Sequence, residues 1–145
     1  MKHPLRRVLR LRRLLEEQTQ QELERRSAEV RRLENAAGEQ RTRARRARGE
    51  ALRQLTSGGA DWLVEVADAE ILAWKSARLR SQAESRLPEL EAARTALLER
   101  RVERRQVETL VTEAAAAGAL DESRREQRRI DDWFQSRAAR DQSRR

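Results

Sequence analysis

The sequence predicts an all-α protein, a long antiparallel two-helix coiled coil (a helical hairpin) with a C-terminal overhang. Three observations support this fold class. Charged residues make up 40% of the 145 residues, which leaves few residues for a thick core. The chain contains only 5 glycines and 2 prolines, so it has few places to turn. Apolar residues also recur at heptad spacing over long stretches, as they do in coiled coils.

The helix boundaries follow from the few helix-breaking residues. Pro4 suits the first turn of a helix, and no further proline occurs before residue 88, which predicts a first helix over about residues 4–56. The only double glycine, Gly58-Gly59, predicts a turn over about residues 57–60. A second helix is expected over about residues 61–140, with possible breaks near Pro88 and Gly118. We treat residues 1–145 as a single helical hairpin.

Each helix carries an apolar stripe that could form the seam between them. In the first helix the heptad positions 23, 30, 37, 44 and 51 are all apolar, whereas only two of the companion positions 26, 33, 40, 47 and 54 are apolar. In the second helix the spacing predicts a seam through Leu63, Ala67, Ile71, Trp74, Ala83, Leu87, Leu90 and Leu97. Reversal at the double glycine then pairs residues whose numbers add to about 117, and residues beyond about 114 overhang.

Two groups of large apolar residues remain outside this seam. Leu72 and Leu79 lie one heptad apart on a different face, and form either a docking stripe near the turn or a part of the core reached by drift of the heptad frame. Ile130, Trp133 and Phe134 share one face of the overhang, where no helix of the hairpin covers them. These three residues are candidate anchors for another protein, or for Leu5, Val8 and Leu9.

The signatures of common enzymes are missing. The glycines do not form GxGxxG or GxxxxGK[ST], and the single histidine, His3, excludes HExxH sites and histidine-based triads. Adjacent acidic pairs point in different directions on a helix and lie among arginines. We therefore expect no enzyme activity, no catalytic residues, no cofactor and no metal site. No apolar run is long enough to span a membrane, and cysteine is absent.

The basic excess allows two further hypotheses. The net charge of +8 arises entirely within residues 1–57, which contain 16 basic and 8 acidic residues. The cluster Arg41–Arg48 makes a nucleic-acid-binding basic coiled coil the alternative function, although the double glycine follows too soon for a zipper protein. A membrane-surface helix over Leu5–Leu15 is the other hypothesis.

Three segments resemble the FliJ family of flagellar type III export proteins. The C-terminal run is similar to the family signature at Arg125, Gln127, Arg128, Arg129, Ile130, Asp131, Asp132 and Phe134. The stretch Gly58–Trp62 resembles the family's turn followed by tryptophan, and Pro4–Gln18 resembles its N-terminal pattern. The related injectisome family YscO shares this plan.

The resemblance implies a noncatalytic stalk that binds a hexameric export ATPase similar to FliI, an export gate protein similar to FlhA, and export chaperones. It implies a cytoplasmic protein, peripheral at the cytoplasmic face of the inner membrane, without a specific nucleic-acid partner. Carried onto this chain, the ATPase-binding residues are Leu5, Val8, Leu9, Arg128, Ile130, Trp133 and Phe134. The gate-binding residues are Leu72 and Leu79.

Overall fold

A computed structural model describes residues 4–59 and 61–144 of the protein. It contains two helices, α1 (Pro4–Ser57) and α2 (Trp62–Ser143). The helices pack against each other as a hairpin, and the described residues contain no strand, which confirms the all-α fold class. α2 is helical at both Pro88 and Gly118. Every described side chain of α2 after Ala114 is exposed, as expected for an overhang.

The end of α1 is set by the double glycine. Gly58 adopts a φ of +77°, a left-handed conformation that side chains other than glycine rarely adopt. The Gly59 N–H donates to the Gln54 carbonyl oxygen at 2.9 Å. This hydrogen bond, from residue i+5 to residue i, is characteristic of a Schellman C-cap. On the other side of the turn, the Asp61 carbonyl accepts the N–H groups of Val64 and Glu65 at 3.1 and 3.2 Å and so begins α2.

Contacts divide the chain into two compact units. One unit is Glu16–Arg100, which contains the turn, and the other combines the residues up to Leu15 with those from Arg101 onward. In the first unit α1 buries a strict heptad series of Val30, Ala37, Ala44 and Ala51, as the sequence predicts. α2 buries Ala69, Ser76, Ala83, Leu90, Ala93 and Leu97.

The predicted seam of α2 is correct at three positions and wrong at five, four of which lie near the turn. Ala83, Leu90 and Leu97 are buried as predicted. The other five predicted seam residues are exposed, and they are Leu63, Ala67, Ile71, Trp74 and Leu87. The observed series starts instead at Ala69 and Ser76, which precede Ala83 at heptad spacing.

Side-chain size explains this choice of face. Where α1 presents Ala37 and Ala44, α2 presents the small residues Ser76 and Ala69 at the same spacing, so the two backbones can approach closely. The wide side chains of Ile71 and Trp74 would hold the helices apart and leave the alanine surface uncovered. Close packing therefore overrides the larger hydrophobic area of the other stripe.

One buried polar contact links the helices within the unit of residues 16–100. The Ser76 Oγ donates a hydrogen bond to the Ala37 carbonyl oxygen at 2.8 Å, and Ser76 is buried. Because the hydroxyl has a partner, its burial is not costly. The paired numbers add to 113, and those of the ion pair Arg26–Glu89 to 115, rather than about 117, so the register is shifted by about half a turn to one turn from the predicted one.

Arg26, at a companion position of the α1 heptad series, forms ion pairs beside the apolar seam. Arg26 Nη1 lies 2.6 Å from Glu89 Oε2 on α2, and its Nε lies 2.7 Å from Glu22 on α1. Hydrogen bonds from Arg25 and then Arg26 lower the pKa of Glu22 below its ordinary value. Such exposed pairs each contribute roughly 0.2–1 kcal/mol, so they align the helices more than they stabilise them.

The small-residue seam predicts that size, rather than polarity, limits substitution there. We expect Ala44→Leu to lower the free energy of unfolding by about 1–3 kcal/mol, because the added side chain must push α2 away. Urea unfolding followed by circular dichroism measures this change. Ala28→Leu, at an exposed position of the same helix, is the matched control and should change stability by less than about 0.5 kcal/mol. Equal stability of the two variants would contradict close packing at Ala44.

Candidate docking surfaces

The C-terminal part of α2 carries an exposed aromatic cluster. Ile130, Trp133 and Phe134 lie on one side of the helix, and about half of each residue's surface is exposed. The two rings meet edge to face, with centroids 5.0 Å apart and an interplanar angle of 79°. The Arg137 guanidinium stacks over Trp133 at 5.1 Å from the ring centroid. We call Ile130, Trp133, Phe134 and Arg137 the C-terminal cluster.

Polar residues of the same segment point away from this cluster or bond along the helix. The Gln127 side-chain amide donates to Asp131 at 3.2 Å, and Arg128 Nε donates to the Arg124 carbonyl at 3.3 Å. Arg128 is exposed, so its remaining donors face solvent. This arrangement presents an apolar surface bordered by charges, which is typical of a protein-binding site.

The N-terminal residues of the predicted ATPase-binding set do not share one surface. Leu9 is buried and Leu5 is half-buried against the rest of their unit, whereas Val8 is exposed. Burial of its side chain within its own unit disfavours the prediction that Leu9 contacts another protein. The alternative that these residues cover Ile130, Trp133 and Phe134 is also wrong, since all three remain exposed.

Leu72 and Leu79 lie in the seam and not on a separate face. Both side chains are half-buried, at the companion positions of the buried residues Ala69 and Ser76. Their partial burial favours the alternative that these two leucines join the core over the prediction of an exposed docking stripe. The seam of α2 is rotated by about one third of a turn from the predicted one, which turns Leu72 and Leu79 inward and Ile71 and Trp74 outward.

The stripe that the seam leaves uncovered is a docking surface that the sequence reasoning missed. Ile71 and Trp74 are 51% and 59% exposed, and Leu63, Val64 and Ala67 continue the same side of α2 towards the turn. The Arg78 guanidinium lies 5.4 Å from the Trp74 ring centroid, one turn further along. We call Leu63, Val64, Ala67, Ile71 and Trp74 the turn-proximal stripe. The Trp74–Arg78 spacing of four residues was the available signal, and it matches Trp133–Arg137.

The arginine cluster of α1 does not form a single recognition face. Arg41, Arg43, Arg45, Arg46 and Arg48 are all exposed, but their spacing spreads them around most of the helix circumference. A helix that reads a DNA groove must direct its basic residues to one side. This placement weakens the nucleic-acid alternative.

The described part of the chain shows neither a metal site nor a candidate membrane span. No three metal-binding side chains there converge on a point that could hold an ion. Neither described helix combines the length and apolar character that crossing a membrane requires. Comparison with protein-family models, curated proteins and solved structures finds no match to this chain.

The exchange of faces on α2 can be tested with two neighbouring residues. We expect Leu72→Ala to lower the free energy of unfolding by about 2 kcal/mol, because it removes packing in the seam. Ile71→Ala should cost less than about 0.5 kcal/mol, because its side chain faces solvent. Urea unfolding of both variants provides the measurement. A larger loss for Ile71→Ala than for Leu72→Ala would contradict the observed seam.

Proposed function

We propose that the chain is a noncatalytic stalk and coupling component of a flagellar type III protein export apparatus. The observation that carries the proposal is the exposed C-terminal cluster, which coincides with the segment that resembles the FliJ signature. The hairpin fold and the overhang agree with the expected stalk. The protein would bind an export ATPase hexamer and an export gate, and assist the handling of chaperones and their cargo.

The C-terminal cluster supports an ATPase contact on physical grounds. Large aromatic residues and arginine dominate the binding energy of protein interfaces, and this cluster supplies two aromatic rings and a stacked guanidinium without covering side chains. Arg128 adds a charge at the border. Leu5 and Leu9 would act indirectly, by packing within their unit, and Val8 is the N-terminal residue of the predicted set that can contact a partner.

The gate contact is reassigned in this proposal. Leu72 and Leu79 pack in the seam, so the turn-proximal stripe, with Ile71 and Trp74, takes their place as the proposed gate-binding surface. Its position on α2 just after the turn agrees with the region that the resemblance implies. Partner contacts at the ATPase and the gate would hold the protein in the cytoplasm at the inner face of the membrane.

Coupling requires that the protein distinguish between states of its partner. A stalk that binds the assembled ring better than the free ATPase subunit shifts assembly towards the ring by that difference in affinity. Equal affinity for both forms would leave assembly and hydrolysis unchanged.

The ATPase contact is tested with the purified chain and the Walker-motif export ATPase from the same genome. We expect the chain to increase both the oligomer size of the ATPase, by light scattering, and its hydrolysis rate. Trp133→Ala with Phe134→Ala should weaken binding by about 30-fold or more, because two exposed aromatic anchors are lost. Helicity should stay unchanged. Leu120→Ala, an exposed leucine of the same overhang, is the matched control and should retain stimulation.

Three results would contradict this contact. The first is no effect of the unmodified chain on oligomer size or hydrolysis. The second is full stimulation by the aromatic double variant. The third is unfolding of that variant, which would make the two rings part of a core.

The gate contact is tested with the cytosolic domain of the gate protein from the same genome. Ile71→Ala with Trp74→Ala should weaken its binding by about tenfold or more, as measured by calorimetry, because the largest exposed side chains of the stripe are removed. Leu98→Ala, an exposed residue elsewhere on α2, should bind like the unmodified chain. If only Leu72→Ala weakened binding, the reassignment to the turn-proximal stripe would be wrong.

A further inference from the structure

The first turns of α1 concentrate positive charge. Residues 4–15 contain five Arg residues and no Asp or Glu, so they carry most of the net charge of +8. Arg12 pairs with Glu103 at 2.6 Å and Arg13 with Glu108 at 3.2 Å. Within the described part of the chain, Arg6, Arg7 and Arg10 are exposed and have no ion pair. Three unbalanced charges therefore lie within five residues of one helix.

The same turns expose a second apolar side. Leu9 and Leu5 face the interior of their unit, but Leu11 and Leu14 are 55% and 52% exposed on the opposite side of α1. Val8, which is exposed, and Leu15, which is half-buried, extend this side. At 100° per residue these four residues cover an arc of about 120°, with Arg7 within it and Arg10 at its edge.

This combination favours one class of ligand. Branched aliphatic side chains gain nothing from a phosphate backbone in water, so a nucleic acid would use the arginines and leave the leucines exposed. A bilayer with anionic headgroups satisfies both, because leucines insert into the acyl boundary while arginines stay at the phosphate level. The segment also has no aromatic residue of the kind that anchors protein interfaces.

We propose that residues 4–15 of α1 bind the surface of an anionic lipid bilayer through Val8, Leu11 and Leu14, with Arg6, Arg7 and Arg10 contacting the headgroups. The helix lies in the plane of the interface and keeps Leu9 packed within its unit. The inference does not rest on the export proposal, because it concerns lipid alone. Both could hold, with Val8 used by one partner at a time.

The direct test is co-sedimentation of the full chain with vesicles. We expect binding to mixed phosphatidylcholine–phosphatidylglycerol vesicles at low salt, weaker binding at raised salt, and little binding to pure phosphatidylcholine. Leu11→Gln with Leu14→Gln should lower the partition coefficient about tenfold or more. Arg6→Gln, Arg7→Gln and Arg10→Gln together should lower the partition coefficient about 100-fold, because each basic residue near an anionic surface contributes about fivefold.

The chain offers a matched control for each variant. Leu52 and Leu55 lie on the same helix with the same spacing and are 64% and 53% exposed, so changing both to Gln should leave partitioning within about twofold. Replacing Arg43, Arg45 and Arg46 by Gln removes the same charge from another exposed part of α1 and should have a much smaller effect than the N-terminal set. Circular dichroism checks that all variants stay helical.

A site-specific probe distinguishes insertion from general attraction. Because the chain contains no cysteine, Leu11→Cys can be labelled with an environment-sensitive fluorophore at a single site, and Leu52→Cys gives the control. We expect a blue shift on adding anionic vesicles for the first label and none for the second.

Several results would overturn the proposal. No sedimentation with anionic vesicles would do so, whether or not the chain binds its export ATPase. Equal losses in the two leucine pairs, or in the two arginine sets, would mean that lipid is not bound at residues 4–15. An unshifted Leu11→Cys label, or binding to duplex DNA without binding to vesicles, would assign the basic excess to another ligand.

Discussion

Close packing of small side chains is the constraint on which the rest of this hairpin depends. Ala37 and Ala44 on α1 face the small residues Ser76 and Ala69 on α2, and the Ser76 hydroxyl bonds to the Ala37 carbonyl within that surface. Such a seam buries little area per residue, so it stabilises through contact density rather than side-chain size. It determines which face of α2 turns inward, and it excludes Trp74 from that face.

The outward surfaces follow from this choice. Two helices can cover only one stripe each, so every additional apolar stripe remains exposed unless a partner covers it. Among the described residues, such surfaces include the turn-proximal stripe and the C-terminal cluster on α2, and the leucines at the start of α1. These are the three for which partners are proposed. The first two carry a tryptophan with an arginine one turn later, whereas the third carries leucines among arginines. This chemical difference supports protein partners for α2 and a lipid surface for α1.

Much of the fold could be predicted from composition and heptad spacing. The helix bounds, the turn at Gly58 and the seam of α1 are regular enough for local rules, and the exposure of Ile130, Trp133 and Phe134 follows from the length of the overhang. The face of α2 near the turn could not be predicted in the same way. Ranking stripes by hydrophobicity favours Ile71 and Trp74, because alanine and serine contribute little to such a ranking.

The decisive information lay in complementarity between the helices. Only a comparison of side-chain volumes across the pair shows that the alanines of α1 need a small-residue partner such as Ala69 or Ser76. The same information would have placed Leu72 and Leu79 in the seam. The burial of Leu9 could not be predicted for a different reason. Leucines and arginines alternate around it in the sequence, so several faces of that segment carry apolar residues.

Hydrogen–deuterium exchange of the full chain, alone and with the export ATPase ring, tests the central claim that the seam occupies one side of the pair and leaves the other surfaces to partners. Alone, amides near residues 69–97 should exchange slowly and those near residues 120–140 quickly, because only the former have a packed neighbour. Adding the ring should slow exchange in residues 120–140 and leave the seam unchanged. Unchanged exchange in residues 120–140, or fast exchange along the seam in the free chain, would contradict the account.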